Sequence, residues 1–178
     1  MSSRKYHKDY KLIEHVDDSG RVKTETVYCG DKFYYSSGAD KAGKALRQML
    51  ACSAFSTISY ILSLVPYSSA SHTMLVLIPY LFSALPLWML LSSLIVLLRK
   101  KDALEQREAD YANNRITACC LWLMILPGFS LVAELASILM KQIVFLHGDF
   151  IFAICSLLLI VCAGICFSRR KDVAAEKR

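Results

Sequence analysis

Glu134 has the most obvious chemical potential in the chain, because it is the sole charged side chain between Ile116 and Met140. An ionised carboxylate in hydrocarbon is costly, so such a group is functional or paired by default. Steps of three, four and seven residues put Cys120, Pro127, Ser130, Glu134, Ser137 and Lys141 on one helical stripe, with Leu, Ile and Val elsewhere. That stripe should face the inside of a helix bundle. On the sharper reading Glu134 is an intramembrane proton or cation site that trades a proton for a cationic solute. His72, His147 and Asp149 would then form its outer mouth. On the plainer reading Glu134 reaches the outer head groups or pairs with Lys141, since nineteen residues past Arg115 is roughly 28 Å along a straight helix. His72, His147 and Asp149 then become loop and cap residues. A metal site built from those three would require two separate loops to converge, and neither a metal nor another cofactor is expected.

The remaining reactive residues form no recognisable catalytic set. The seven cysteines include Cys52, Cys119, Cys120, Cys162 and Cys166 near the inner ends of the apolar runs, and Cys29 in the polar segment before them. Thiols facing a reducing compartment stay free of disulfides. A ring of inner thiols could take a soft metal, but cysteine as a small apolar filler is the simpler reading. The chain has no Gly-rich phosphate loop, no nucleophile elbow and no H-E-x-x-H, so a non-enzymatic protein is expected.

The elements that must carry these residues are set by composition. No Asp, Glu, Lys or Arg occurs between Gln48 and Leu98, and 55% of the 178 residues are hydrophobic against 20% charged, with mean hydropathy +0.39. Such a profile excludes a disordered, collagen-like or ordinary water-soluble chain. A spanning helix needs about 20 apolar residues. Four segments qualify: Leu46 to Val65, Thr73 to Leu98, Ile116 to Leu139 and Ile143 to Phe167. The short links Pro66 to His72 and Met140 to Gln142 join them in pairs. Ten Lys or Arg lie at or before Arg47, five between Arg99 and Arg115, and five from Ser168 onward, while the other two links hold only Lys141. The positive-inside rule therefore puts both termini and the central link in the cytoplasm, with the cell membrane as the expected location. The net charge of +6 follows from this layout, with anionic lipid head groups as partners for Arg99–Lys101 and Arg169–Lys171. Acidic residues interleave with the basic ones, so a nucleic-acid partner is not expected.

The first apolar run begins near residue 46 and lacks a small-residue cleavage site, so it reads as a retained span rather than a signal. Each half repeats a spacing, Arg47 to Cys52 and Arg115 to Cys120, consistent with tandem hairpins or simply with shared topology. Pro79, Pro86 and Pro127 each remove a backbone donor, with Ser83 and Ser130 nearby to cover freed carbonyls. Ser53, Ser56, Tyr60, Ser63 and Tyr67 on the first span, and Ala153, Ser156, Ala163 and Gly164 on the fourth, suit close helix packing, or a polar conduit. Before the spans, Tyr10–Val16 and Arg21–Tyr28 are rich in Val, Thr, Ile and Tyr around Asp17-Asp18-Ser19-Gly20, a hairpin signal, and Phe33–Tyr35 could add a third strand. Asp40–Arg47 should extend the first span inward. Glu105, Arg107 and Glu108 suit a short exposed helix extending the second.

The expected fold is therefore an all-α membrane protein, a four-helix transmembrane bundle of two tandem helical hairpins with a small N-terminal cytoplasmic β-hairpin cap. Its parts are the cap 1–45, hairpins 46–98 and 116–167, the cytoplasmic loop 99–115 and the basic tail 168–178. For function, the first reading is a non-enzymatic subunit in a homo-oligomer or larger membrane complex. The second is a small-solute or proton-coupled transporter using Glu134. A membrane enzyme depending on His72, His147 or Asp149 comes third.

Overall fold

The computed structural model describes residues 10–16, 22–64, 73–100, 103–140 and 147–177. The turn Asp17–Gly20, the link Pro66–His72 including His72 itself, and Lys141 lie outside them. The elements in order are strands β1 Tyr10–Val16, β2 Val22–Tyr28 and β3 Phe33–Tyr35, helices α1 Ala39–Leu64, α2 Met74–Phe82, α3 Ala84–Arg99, α4 Gln106–Asp110, α5 Ile116–Leu139 and α6 His147–Val173, and strand β4 Ala175–Lys177. A π-helical turn, Tyr111–Arg115, joins α4 to α5 in one continuous rod. The protein is mostly helical with small strand pairs, and the four long helical rods match the expected number. Among the described residues three rods are long and apolar enough to cross a membrane: Met74–Arg99, Gln106–Leu139 and Gly148–Val173. The fourth, α1, is diluted by Arg47 and by the serines it turns inward, Ser53, Ser56, Ser59 and Ser63.

Local chemistry explains where the elements begin and break. Gly38 adopts φ +87°, a left-handed conformation that only glycine takes without strain, and its carbonyl accepts the Ala42 N–H to start α1. Pro86 cannot donate to Phe82, and the second rod breaks just before it at Ser83, whose Oγ donates to the Tyr80 carbonyl at 2.6 Å. Pro127 stays within α5, where Ser130 Oγ donates to the Leu126 carbonyl at 3.1 Å. A reciprocal capping box, in which Glu105 accepts from the backbone of Glu108 and the Glu108 carboxylate accepts the Glu105 N–H at 3.0 Å, starts α4. The short helix of the central link therefore extends the third rod, not the second. Glu108 is buried rather than part of a solvated run, and pairs with Lys100 at 3.4 Å.

The strands differ from expectation in one pairing. β1 and β2 form the expected antiparallel hairpin, Tyr10 opposite Tyr28 and Val16 opposite Val22. β3 does not join them. It pairs antiparallel with β4 at the other end of the chain, Phe33 opposite Lys177 and Tyr35 opposite Ala175, and Phe33 exchanges two 2.9 Å backbone bonds with Leu104. Asn113 locks β4 from the rod, donating Nδ2–H to the Ala175 carbonyl at 2.8 Å and accepting the Ala175 N–H at 2.9 Å. Leu104, Val173, Ala112 and Ala175 are buried beneath this knot. The N-terminal segment, the central link and the C-terminal end thus meet at one end of the bundle, as an even number of passes requires. Replacing Asn113 with Ala is expected to free β4 at a cost of about 1–2 kcal/mol, seen as faster hydrogen exchange at the Ala175 amide. An unchanged exchange rate would remove Asn113 from the knot.

The core divides along its length. Toward the cap it is mainly apolar, with Met49, Leu90, Leu94, Leu97, Ile116 and Leu123 buried beside Ser93; Gly164 packs so closely that an added Cβ would meet Met124 Cε at 3.3 Å. Toward the far end it holds buried serines, Tyr80, Glu134 and Asp149.

Candidate functional site

The expected stripe on α5 faces inward: Cys120, Pro127, Ser130, Glu134 and Ser137 are all buried, while Trp122, Phe129, Val132 and Leu135 point outward. Glu134 is only 2% exposed, so at this position of the bundle it reaches its neighbours rather than the surface. Asp149, in the first turn of α6 where the helix dipole favours a carboxylate, is fully buried and close enough to act electrostatically on Glu134. Two of the four residues singled out from sequence are therefore buried, on helices that pack against each other. His147 is the first residue of α6, but its side chain, like the whole of His72, is outside the described set. Glu134 Oε1 is buried without a hydrogen-bond partner among the described residues.

A cluster of aromatic and hydroxyl side chains joins α1, α2 and α6 in the same buried core. Tyr80 of α2 is fully buried, stacked on Tyr60 of α1 at 5.1 Å between centroids and tilted against Phe152 of α6 at 4.7 Å. Its hydroxyl shares a 2.5 Å hydrogen bond with Ser63 Oγ. Ser156 Oγ sits beside the same hydroxyl without full hydrogen-bond geometry. Most neighbouring hydroxyls are spent on their own helices: Ser53 on the Leu50 carbonyl at 2.9 Å, Ser63 on Tyr60 at 2.7 Å and Ser137 on Ala133 at 2.8 Å. Self-satisfied serines act as small packing residues more than as a hydrated lining. No sequence signal announced Tyr80; its weight comes from the convergence of α1, α2 and α6.

Four thiols, Cys52, Cys120, Cys162 and Cys166, occupy a second zone nearer the cap. Cys52 contacts Cys162, and Cys166 lies near both and near Cys120, donating weakly to the Met49 carbonyl at 3.7 Å. All seven cysteines are free. Among the described residues no group of three His, Cys, Asp or Glu side chains is arranged to hold a metal ion.

The cap carries its own electrostatics. The hairpin docks on the start of α4 through two tyrosines whose rings meet edge to face at 5.2 Å. The Tyr10 hydroxyl donates to Glu105, and the Tyr28 hydroxyl accepts the Gln106 N–H at 3.0 Å. Partial burial works against the Glu105 charge, but hydrogen bonds from Tyr10 and Lys100 outweigh it and hold the carboxyl below its ordinary value. Tyr10 is pushed up to about 12, first by that hydrogen bond and then by burial and the nearby carboxylates. A carboxyl lowered on folding stabilises above its unfolded pKa and loses that contribution as pH falls through the folded one. A phenol raised on folding stabilises below its unfolded pKa and loses it as pH climbs through the folded one. The hairpin should therefore stay docked from about pH 5 to 10 and loosen on both sides, read by amide exchange at Gln106. Tyr10→Phe should abolish the alkaline limb, and a Gln106 protection factor that does not change with pH in the native protein would contradict this account.

No protein-family model matches the chain, and no match is found among curated proteins or among solved structures.

Proposed function

We propose that this chain is an integral membrane protein whose four helical rods sit in a lipid bilayer with the cap on the cytoplasmic side of the cell membrane. It acts there as a non-enzymatic subunit, associating with copies of itself or with a larger membrane complex through its helix faces and cap. The observation that carries the reading is the reversal of polarity between surface and interior. Trp88, Leu85, Ile125, Val132, Phe150 and Val161 are exposed while serines, Glu134 and Asp149 are buried, an arrangement water would not tolerate but lipid does. The knotted cap supports a scaffold role, since it ties three separated segments into one surface beside the bundle. Cross-linking followed by mild-detergent purification from native membranes tests this: a stable stoichiometric neighbour or homo-oligomer is expected. A strictly monomeric, partner-free protein that still moves a solute would overturn it.

A second reading is favoured by one specific observation, the burial of two carboxylates, Glu134 and Asp149, on the adjoining helices α5 and α6. Two buried carboxylates from different helices are a means of handling a proton or a small cation, which makes a proton-coupled transporter the rival.

A further inference from the structure

A groove of about 390 Å³ runs between the second and third rods, with Phe82, Leu85 and Met89 on one wall and Ala118 and Trp122 on the other. Its walls are apolar, no carboxylate lines it, and Arg115 closes its cap end. Arg115 is the last residue of the π-helical turn, nine residues and about 13 Å up the rod from Gln106. The guanidinium lies over the Tyr111 ring at 4.7 Å, and its Nε is buried without a partner among the described residues. A π turn inside an α-helix is a frequent mark of a functional position, because it re-aims the side chains it carries.

An apolar slot closed at one end by a cation whose Nε has no partner among the described residues has the chemistry of one kind of occupant. We propose that this groove holds an acyl chain of an anionic phospholipid whose phosphate is bound by Arg115. The guanidinium offers a planar fork of donors matched to phosphate oxygens, and its seat on Tyr111 pre-orders it. The absence of any carboxylate from the lining lets a net negative head group approach without repulsion. This inference rests on the membrane reading above and gives it a particular lipid site.

The test uses the full chain, reconstituted into nanodiscs of mixed phosphatidylglycerol and phosphatidylcholine and released into the gas phase for native mass spectrometry. The wild-type protein should retain phosphatidylglycerol in preference to phosphatidylcholine. Arg115→Gln should reduce that preference about fivefold, and Arg115→Lys, which keeps the charge but loses the fork, should restore only part of it. Ala118→Phe, which fills the groove from an exposed position, should lower retention of both lipids without touching the charge. Retention by Arg115→Gln or Ala118→Phe equal to wild type, or equal retention of the two lipids by wild type, would overturn the site. Failure of the membrane reading is distinguishable, because the protein would then be recovered in the soluble extract before any lipid is added.

Discussion

Replacing Tyr80 with alanine is expected to destabilise the bundle by about 3–5 kcal/mol, the range for emptying a fully buried aromatic site. Tyr80 is the point where three rods touch: it stacks on Tyr60, leans on Phe152 and shares a hydrogen bond with Ser63. The loss combines the removed packing contacts with a cavity that the neighbouring rings close only in part. Each aromatic pair adds about 0.5–1.5 kcal/mol beyond burial, and both pairs are lost together. Tyr80→Phe keeps the rings and removes only the hydroxyl, so it should cost about 1 kcal/mol. Denaturant unfolding in mild detergent separates the two variants. An alanine variant as stable as wild type would mean that the far half of the bundle is not held together at this point.

The second large effect concerns the carboxylate pair. If the pair handles a proton or cation, Glu134→Gln and Asp149→Asn should each lower uptake into reconstituted vesicles by about 100-fold or more, while leaving the fold intact by circular dichroism. Glutamine preserves the volume of Glu134 and removes only its charge, which matters for a side chain 2% exposed. Flux that survives Glu134→Gln would take this residue out of any transport mechanism. If the chain is a subunit with no transport of its own, the isolated protein shows no flux, and the same substitution alters only stability and assembly.

Much of this arrangement is legible in the sequence, for identifiable reasons. The inward stripe from Cys120 to Ser137 is periodic, so residue spacing alone puts Glu134 on a buried face. The β1–β2 hairpin is local and marked by its glycine-containing turn signal. Asp149 is different. In sequence it sits at the edge of an apolar run and reads as a loop or cap residue, and only the packing of α6 into the bundle makes it fully buried. The partner of β3 is hidden because β4 is three residues long, polar in two of them, and separated from β3 by the whole bundle. The affiliation of α4 is hidden because its cap is Glu105, outside the Ser, Thr, Asp and Asn that ordinarily mark a helix start, and only the capping box in the structure makes the link part of the third rod rather than the second. The low apolarity of α1 has a similar cause, because serines that serve close packing dilute the hydropathy that marks a span.

Among the cysteines, Cys29 alone is exposed, which makes the cap addressable without altering the natural sequence. Intact cells treated with a membrane-impermeant maleimide give the most direct measurement of lipid as the solvent of four rods with the cap inside. Cys29 should be protected until the membrane is opened, whereas a cysteine introduced at Ser69, in the opposite link, should react at once. Reaction of Cys29 in intact cells, reaction of both positions from the same side, or recovery of the protein in the supernatant after an alkaline wash would contradict the account.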